Sequence, residues 1–142
     1  MDPTVWGPAY WTFLHTAASN YPKHPNAITT KMYYRLIHNF HEFIPHQRSA
    51  ANFRKLLELY PVTPYLNSRE KFEQWVNFIH NKVNDITGKP NMTVAEHRAK
   101  VDDLYLSKSR RWDRYVRNNF LVVSFVFILI TVSLIWCLHL KK

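Results

Sequence analysis

The sequence has a single cysteine, Cys137, so no disulfide can close within the chain. Any dithiol chemistry would need sulfur from elsewhere. It has only two glycines in 142 residues, Gly7 and Gly88, which argues against a fold rich in strands and tight turns. No segment alternates polar and apolar residues as a strand would, and no internal repeat or low-complexity tract is present. The N-terminus, MDPTVWGPAYW, lacks a basic stretch ahead of an apolar core, so no secretory leader is expected there. Acidic residues are few: ten, against nineteen lysines and arginines, leave a net charge of +9. Such a surplus suits an anionic cofactor, a lipid headgroup surface or nucleic acid, without choosing among them.

Apolar material is plentiful, and it is sorted into two kinds. From Phe120 to Leu138 the chain is uncharged throughout, FLVVSFVFILITVSLIWCL, and at ~1.5 Å per residue it reaches across most of a bilayer. Trp136 stands near one end, and Trp112 and Tyr115 precede the other, where interfacial aromatics belong. Lys108, Arg110, Arg111, Arg114 and Arg117 lie before the run, against Lys141 and Lys142 after it. The positive-inside bias then keeps the preceding domain cytosolic and makes the chain tail-anchored. Beside a span, the basic run is matched to anionic headgroups; no nucleic-acid partner is expected.

The remainder reads as helices. Trp11, Leu14, His15 and Ala18 keep helical spacing before Tyr21-Pro22. Ile28, Met32, Tyr33, Leu36, Ile37, Phe40 and Ile44 mark a second helix ending at Pro45, and Phe53, Leu56 and Leu57 a third. Ser68 is placed to cap a fourth, with Phe72, Trp75, Val76, Ile79 and Val83 inward. Thr93 to Glu96 is a capping box for a fifth, continued by Val94, His97, Val101 and Leu104. The expected fold is all-α: a four-helix bundle plus a short fifth helix, followed by one C-terminal transmembrane helix. The expected divisions are residues 1–107 for the bundle, 108–118 for a basic juxtamembrane linker and 119–140 for the anchor.

One stretch of this bundle, WVNFIHNKVNDITGKP from Trp75 to Pro90, carries unusual chemistry. His80, Asn81, Val83 and Asn84 fall within little more than a helical turn, beside Ile79, and Gly88-Lys89-Pro90 ends it. An imidazole and two carboxamides beside apolar side chains can lie against a planar heteroaromatic group and bond its edges. Lys89, just past the end, can reach a phosphate.

A second block, Trp6-Gly7-Pro8-Ala9-Tyr10-Trp11-Thr12-Phe13-Leu14-His15 with Ala18 and Tyr21-Pro22, stands well upstream. The pairing of WGxxxWxxLHxxAxxYP with HNxVNxxxGKP resembles the Erv/ALR family of flavin-linked sulfhydryl oxidases, and among them the small forms carried by large DNA viruses. The resemblance covers Trp6 to Tyr105. It implies a helical bundle that holds FAD in its mouth, and a homodimer formed through the first helices. The positions that would hold FAD are Gly7, Trp11, His15, His80, Asn81, Val83, Asn84 and Lys89. Tyr105, after an acidic pair where the family often has tryptophan, is a weaker candidate. Pro8 stands where some members have arginine, which removes one polar contact.

The same resemblance places a redox CxxC after the second helix. Here that place reads Pro45-His46-Gln47-Arg48-Ser49, so the two cysteine positions correspond to His46 and Ser49. Dithiol oxidation runs through thiolates and a disulfide. An alcohol is too weakly acidic to replace the thiolate, an imidazole forms no disulfide, and Cys137 lies in the apolar run. The favoured expectation is a catalytically degenerate relative that scaffolds a viral membrane or capsid layer, with FAD retained or lost. The alternatives are an engineered chain and a working oxidase (thiol and O2 to disulfide and H2O2) whose thiols come from a partner. A zinc site of His38, His41 and His46 is disfavoured for want of a completing ligand, Glu42 being expected to point elsewhere. Ser49 with a histidine lacks the glycine-flanked elbow of a hydrolase. The expected setting is a host internal membrane or a virion membrane.

Overall fold

The computed structural model describes residues 1–106 and 108–139, without the side chains of Lys108 and residues 137–139. The readings placed on Lys108 as a basic side chain, on Cys137 and on Lys141 and Lys142 therefore lie outside what is described. Among the described residues the chain is all-helical: α1 Pro3–Ser19, α2 Ala27–Asn39, α3 Gln47–Leu59, α4 Arg69–Thr87, α5 Val94–Tyr105, α6 Lys108–Asn118 and α7 Phe120–His139, with 3-10 turns at Phe40–Phe43 and Thr63–Tyr65. It divides into two compact units, Met1–Asp102 and one beginning at Asp103.

In the first unit the helix ends are held by short-range chemistry. Asp2 caps α1 by accepting from the Thr4 amide, and Asn26 caps α2 by accepting from Thr29. Ser68 caps α4 at Lys71, and Thr93 and Glu96 close their capping box at the start of α5. Gly88 ends α4 at φ 69°, a left-handed conformation that costs a residue with a side chain about 1 kcal/mol. The second helix stops at Asn39, and the 3-10 turn at Phe40–Phe43 takes over the last apolar positions expected of it.

The core lies between α1, α3 and α4. Leu14 and Ala18 of α1, Phe53 and Leu56 of α3, and Phe72, Trp75, Val76 and Ile79 of α4 are buried together with Tyr21, Ile37, Phe40, Val62 and Leu66. Each large side chain there contributes roughly 1.5–3 kcal/mol. The Trp75 indole donates to the Tyr60 carbonyl at 3.0 Å and the Tyr21 hydroxyl to the Leu66 carbonyl at 2.7 Å, so neither buried polar atom is stranded. On α2 the inward face is narrower than its apolar pattern suggests: Ile37 is buried, whereas Ile28 and Met32 are exposed. Likewise Leu104 of α5 is exposed while His97 and Val101 are buried.

In the second unit, residues 108–118 form a helix, α6, where a linker was expected. Trp112 and Tyr115 stack along it with centroids 5.7 Å apart, and Arg114 bonds Asp103 at 3.1 Å. Helix α7 is apolar on all sides. Over the residues described with their side chains, no single helix is long and apolar enough to cross a membrane. The pair Ser109–Asn118 and Phe120–Trp136, bent by 91° at a break, qualifies together by length and composition.

Candidate functional site

The site forms where α1 lies against α4 and the start of α5 closes over them. Helical spacing puts Trp11 and His15 on one face of α1, and His80 sits opposite on α4. The Trp11 and His80 rings stack nearly parallel, 4.0 Å apart at 4°. His15 Nε2 and His80 Nδ1 share a hydrogen bond of 2.9 Å. A third imidazole comes from α5: His97 stacks on His15 at 4.0 Å and on His80 at 4.6 Å. His97 Nδ1 donates to Asn77 Oδ1 at 2.6 Å, which leaves its Nε2 as the acceptor nitrogen. That Nε2 is buried without a partner, and so is the Trp6 indole nitrogen.

Burial governs the electrostatics. Removal from water pushes His15 down from 6.5 to about 3, with the charges of His97 and Lys100 acting the same way. His80 is pushed down to about 3 by desolvation first, then by His97, His15, Lys100 and Lys89. Desolvation and Lys100 lower His97 as well, with Glu96 opposing. All three rings are neutral at pH 7, and therefore available as lone-pair donors or as flat, uncharged stacking surfaces.

The other residues singled out from the sequence divide into two groups. Gly7 lies on α1 with open space where a Cβ would project, and Val83 is half-buried against the core. Lys89 is exposed just beyond the Gly88 cap, its amide bonded to the Asn84 carbonyl at 2.9 Å. Asn81 and Asn84, the two carboxamides of that face, bond the turn after α4. Asn81 donates to the Met92 carbonyl and accepts from the Met92 amide, at 2.8 and 3.0 Å, and Asn84 donates to the Pro90 carbonyl at 3.2 Å. A turn with this many unpaired main-chain groups captures the nearest amides. Ile79 is 1% exposed and belongs to the core, so it offers no outer surface. Tyr105 is exposed and lies in the second unit.

His46 and Ser49 sit at the N-terminus of α3, as their proline-led position predicts. His46 caps the helix, and its Nδ1 lies 2.9 Å from Ser49 Oγ and 3.3 Å from the Ser49 amide. The His38, His41 and His46 grouping does not form. His46 is engaged with Ser49, and His41 Nε2 meets Glu42 at 2.9 Å, so Glu42 does not point away as expected but joins His41 and Arg54. Among the described residues the one cluster of potential metal ligands is His15, His80 and His97. His97 was legible only as an inward position on α5; its tie to Asn77, on another helix, has no local signal.

Comparison with known proteins gives one family match: residues 8–104 fit the Erv1/Alr family. A probable FAD-linked sulfhydryl oxidase of Acanthamoeba polyphaga mimivirus is 32% identical over 111 residues, covering 78% of each chain. The mitochondrial FAD-linked sulfhydryl oxidase erv1 of Schizosaccharomyces pombe is 36% identical over 103 residues, 72% of this chain and 57% of that one. The FAD-binding domain of Erv1 from Saccharomyces cerevisiae superposes with a TM-score of 0.66 at 28% identity, covering 72% of this chain and 96% of that domain.

Proposed function

This chain belongs to the Erv1/Alr family, and from that premise we propose that it is a membrane-anchored member that keeps the flavin cradle but has lost the dithiol. The observation that carries the proposal is the pair at the start of α3. His46 and Ser49 hold the positions, three residues apart at a helix N-terminus, where the family resemblance places two cysteines. They are hydrogen-bonded to each other at 2.9 Å, so the local geometry of a bridged pair survives without sulfur. A helix N-terminus favours a thiolate; it does not make a serine hydroxyl ionise or an imidazole exchange disulfides.

FAD suits the residues that remain. Trp6 Nε1 and His97 Nε2 are buried polar atoms lacking partners, of the kind a bound group satisfies. The space beside Gly7 admits a close approach to α1. Gly7, Trp11, His15, His80 and Val83 would hold the aromatic parts. Lys89 would face the phosphates, and Asn81 and Asn84 would act by fixing the turn that carries it. When bound, the flavin supplies a two-electron acceptor; the chain's own part is to bind it, exclude water and keep the neighbouring imidazoles neutral.

Helix α7, whose sequence is uncharged from Phe120 to Leu138, would serve as the tail anchor, with Arg110, Arg111, Arg114 and Arg117 at the cytosolic headgroups. The exposed Ile28 and Met32 on α2 suit a homodimer contact. On this reading the chain would sit on a host internal or virion membrane, with scaffolding of virion or capsid proteins as the retained role.

The flavin arm is tested on the full chain purified in mild detergent and supplied with FAD. Stoichiometric visible flavin absorbance that survives gel filtration is the expected result. A colourless protein that takes up no flavin would remove the cofactor from this chain.

A further inference from the structure

We propose that His15, His80 and His97 form a binding site for a divalent transition-metal ion of the zinc class. The inference does not rest on the flavin reading. It uses the same three imidazoles that the flavin reading places beside the cofactor, so metal and flavin would compete for His15, His80 and His97.

The three rings each offer a nitrogen, and these atoms lie within 4.8 Å of one another. Zinc holding imidazole at ~2.0–2.1 Å in tetrahedral geometry needs ligand nitrogens about 3.3 Å apart. The His15–His80 pair, now at 2.9 Å, must open by a few tenths of an ångström, and the third nitrogen must close. That requires the rings, now 20°, 25° and 42° from one another, to rotate about their outer torsions. The ring that donates in the His15–His80 bond must shift its proton to its other nitrogen, a tautomer change with no net loss of charge.

His97 is the member that points to a metal. Its Nδ1 proton is held by the Asn77 carboxamide at 2.6 Å, and its other nitrogen is buried with no partner. That arrangement, one nitrogen anchored by an outer partner and one lone pair free, is the usual state of a metal-ligating imidazole. Burial keeps all three rings uncharged, so an incoming cation displaces no proton from them. His15 and His97 also line a small cavity with Ser19, Glu73, Asn77 and Arg98. Lys89 and Lys100 bear on the same rings and oppose a cation, which sets the affinity below that of a site with a carboxylate ligand.

The test is Co(II) and Zn(II) titration of the flavin-free full chain in detergent. It is followed by cobalt visible absorption, by zinc stoichiometry and by the zinc-dependent rise in unfolding temperature. One ion per chain is expected, with a nitrogen-rich four- or five-coordinate cobalt spectrum that zinc abolishes. His97→Gln should weaken binding by at least tenfold, and Asn77→Ala, which leaves all three ligands in place, by about tenfold. Exposed His24→Ala should leave it unchanged. Circular dichroism of each variant reports folding. No one-to-one uptake by the parent chain overturns the proposal. So does undiminished binding by either His97→Gln or Asn77→Ala. Flavin absorbance measured separately on the same preparations shows whether the family cradle stands or fails independently.

Discussion

Acid should loosen the helical unit well before its carboxylates begin to titrate. His15 and His80 both have folded-state values near 3, against 6.5 in the unfolded chain. The unfolded chain therefore takes up protons first as pH falls, and stability that is whole above about pH 6.5 declines as pH drops towards 3. At pH 5.0 an unfolded histidine of ordinary pKa has gained about 2 kcal/mol from protonation. His15, which is buried, should cost that full amount; His80, which keeps solvent contact, is counted at about half. The expected loss between pH 7.5 and 5.0 is about 3 kcal/mol, a large share of the ~5–15 kcal/mol typical of a domain. His97 is lowered too and adds in the same direction. Asp2, Glu70 and Glu96 are also lowered, from ordinary values of 3.8, 4.5 and 4.5, so their contribution is lost only below this window. Urea unfolding of the full chain in detergent, followed by tryptophan fluorescence, reads this as a midpoint lower by about 2 M at pH 5.0. His80→Phe, which preserves a flat ring over Trp11, should reduce the loss to about 2 kcal/mol. An unchanged midpoint across this range, or NMR titration of both rings near pH 6.5, would refute the reasoning.

Two further outcomes follow from named contacts. Arg98→Ala strands the Glu73 carboxylate, whose side chain is 7% exposed, between α4 and α5. Because Arg98 itself is half-exposed, the expected cost is about 2–3 kcal/mol rather than the full penalty of a buried pair, seen as a fall of roughly 10 °C or more in unfolding temperature. For the anchor, alkaline carbonate washing of membranes should leave the full chain in the pellet and release a truncation ending at Asn118; equal release of both would count against α7 as the span.

What could be read from the sequence was local. The caps at Ser68 and Thr93, the left-handed Gly88 and the inward faces of α1 and α4 all arise from side chains three or four positions apart, and each is where spacing places it. The placement of His46 and Ser49 at the head of α3 was legible for the same reason. Pairings between helices were not. Nothing near His97 in the chain announces Asn77, and nothing near Glu73 announces Arg98. The bonds of Asn81 and Asn84 to the turn after α4 were not legible either, because a polar side chain on a helix face looks the same whether it meets a ligand or the helix's own following turn. The exposed Ile28 and Met32 show the limit of periodicity: it finds an apolar stripe, and the neighbours decide how much of it is covered.

The loss of the dithiol is tested most directly by oxygen consumption with a dithiol substrate, comparing the FAD-loaded parent chain with its His46→Cys/Ser49→Cys double variant. The parent should consume oxygen no faster than free flavin, while the double variant, with two thiols at the head of α3, should turn over well above that background. Turnover by the parent above free flavin would contradict the loss of function assigned to His46 and Ser49.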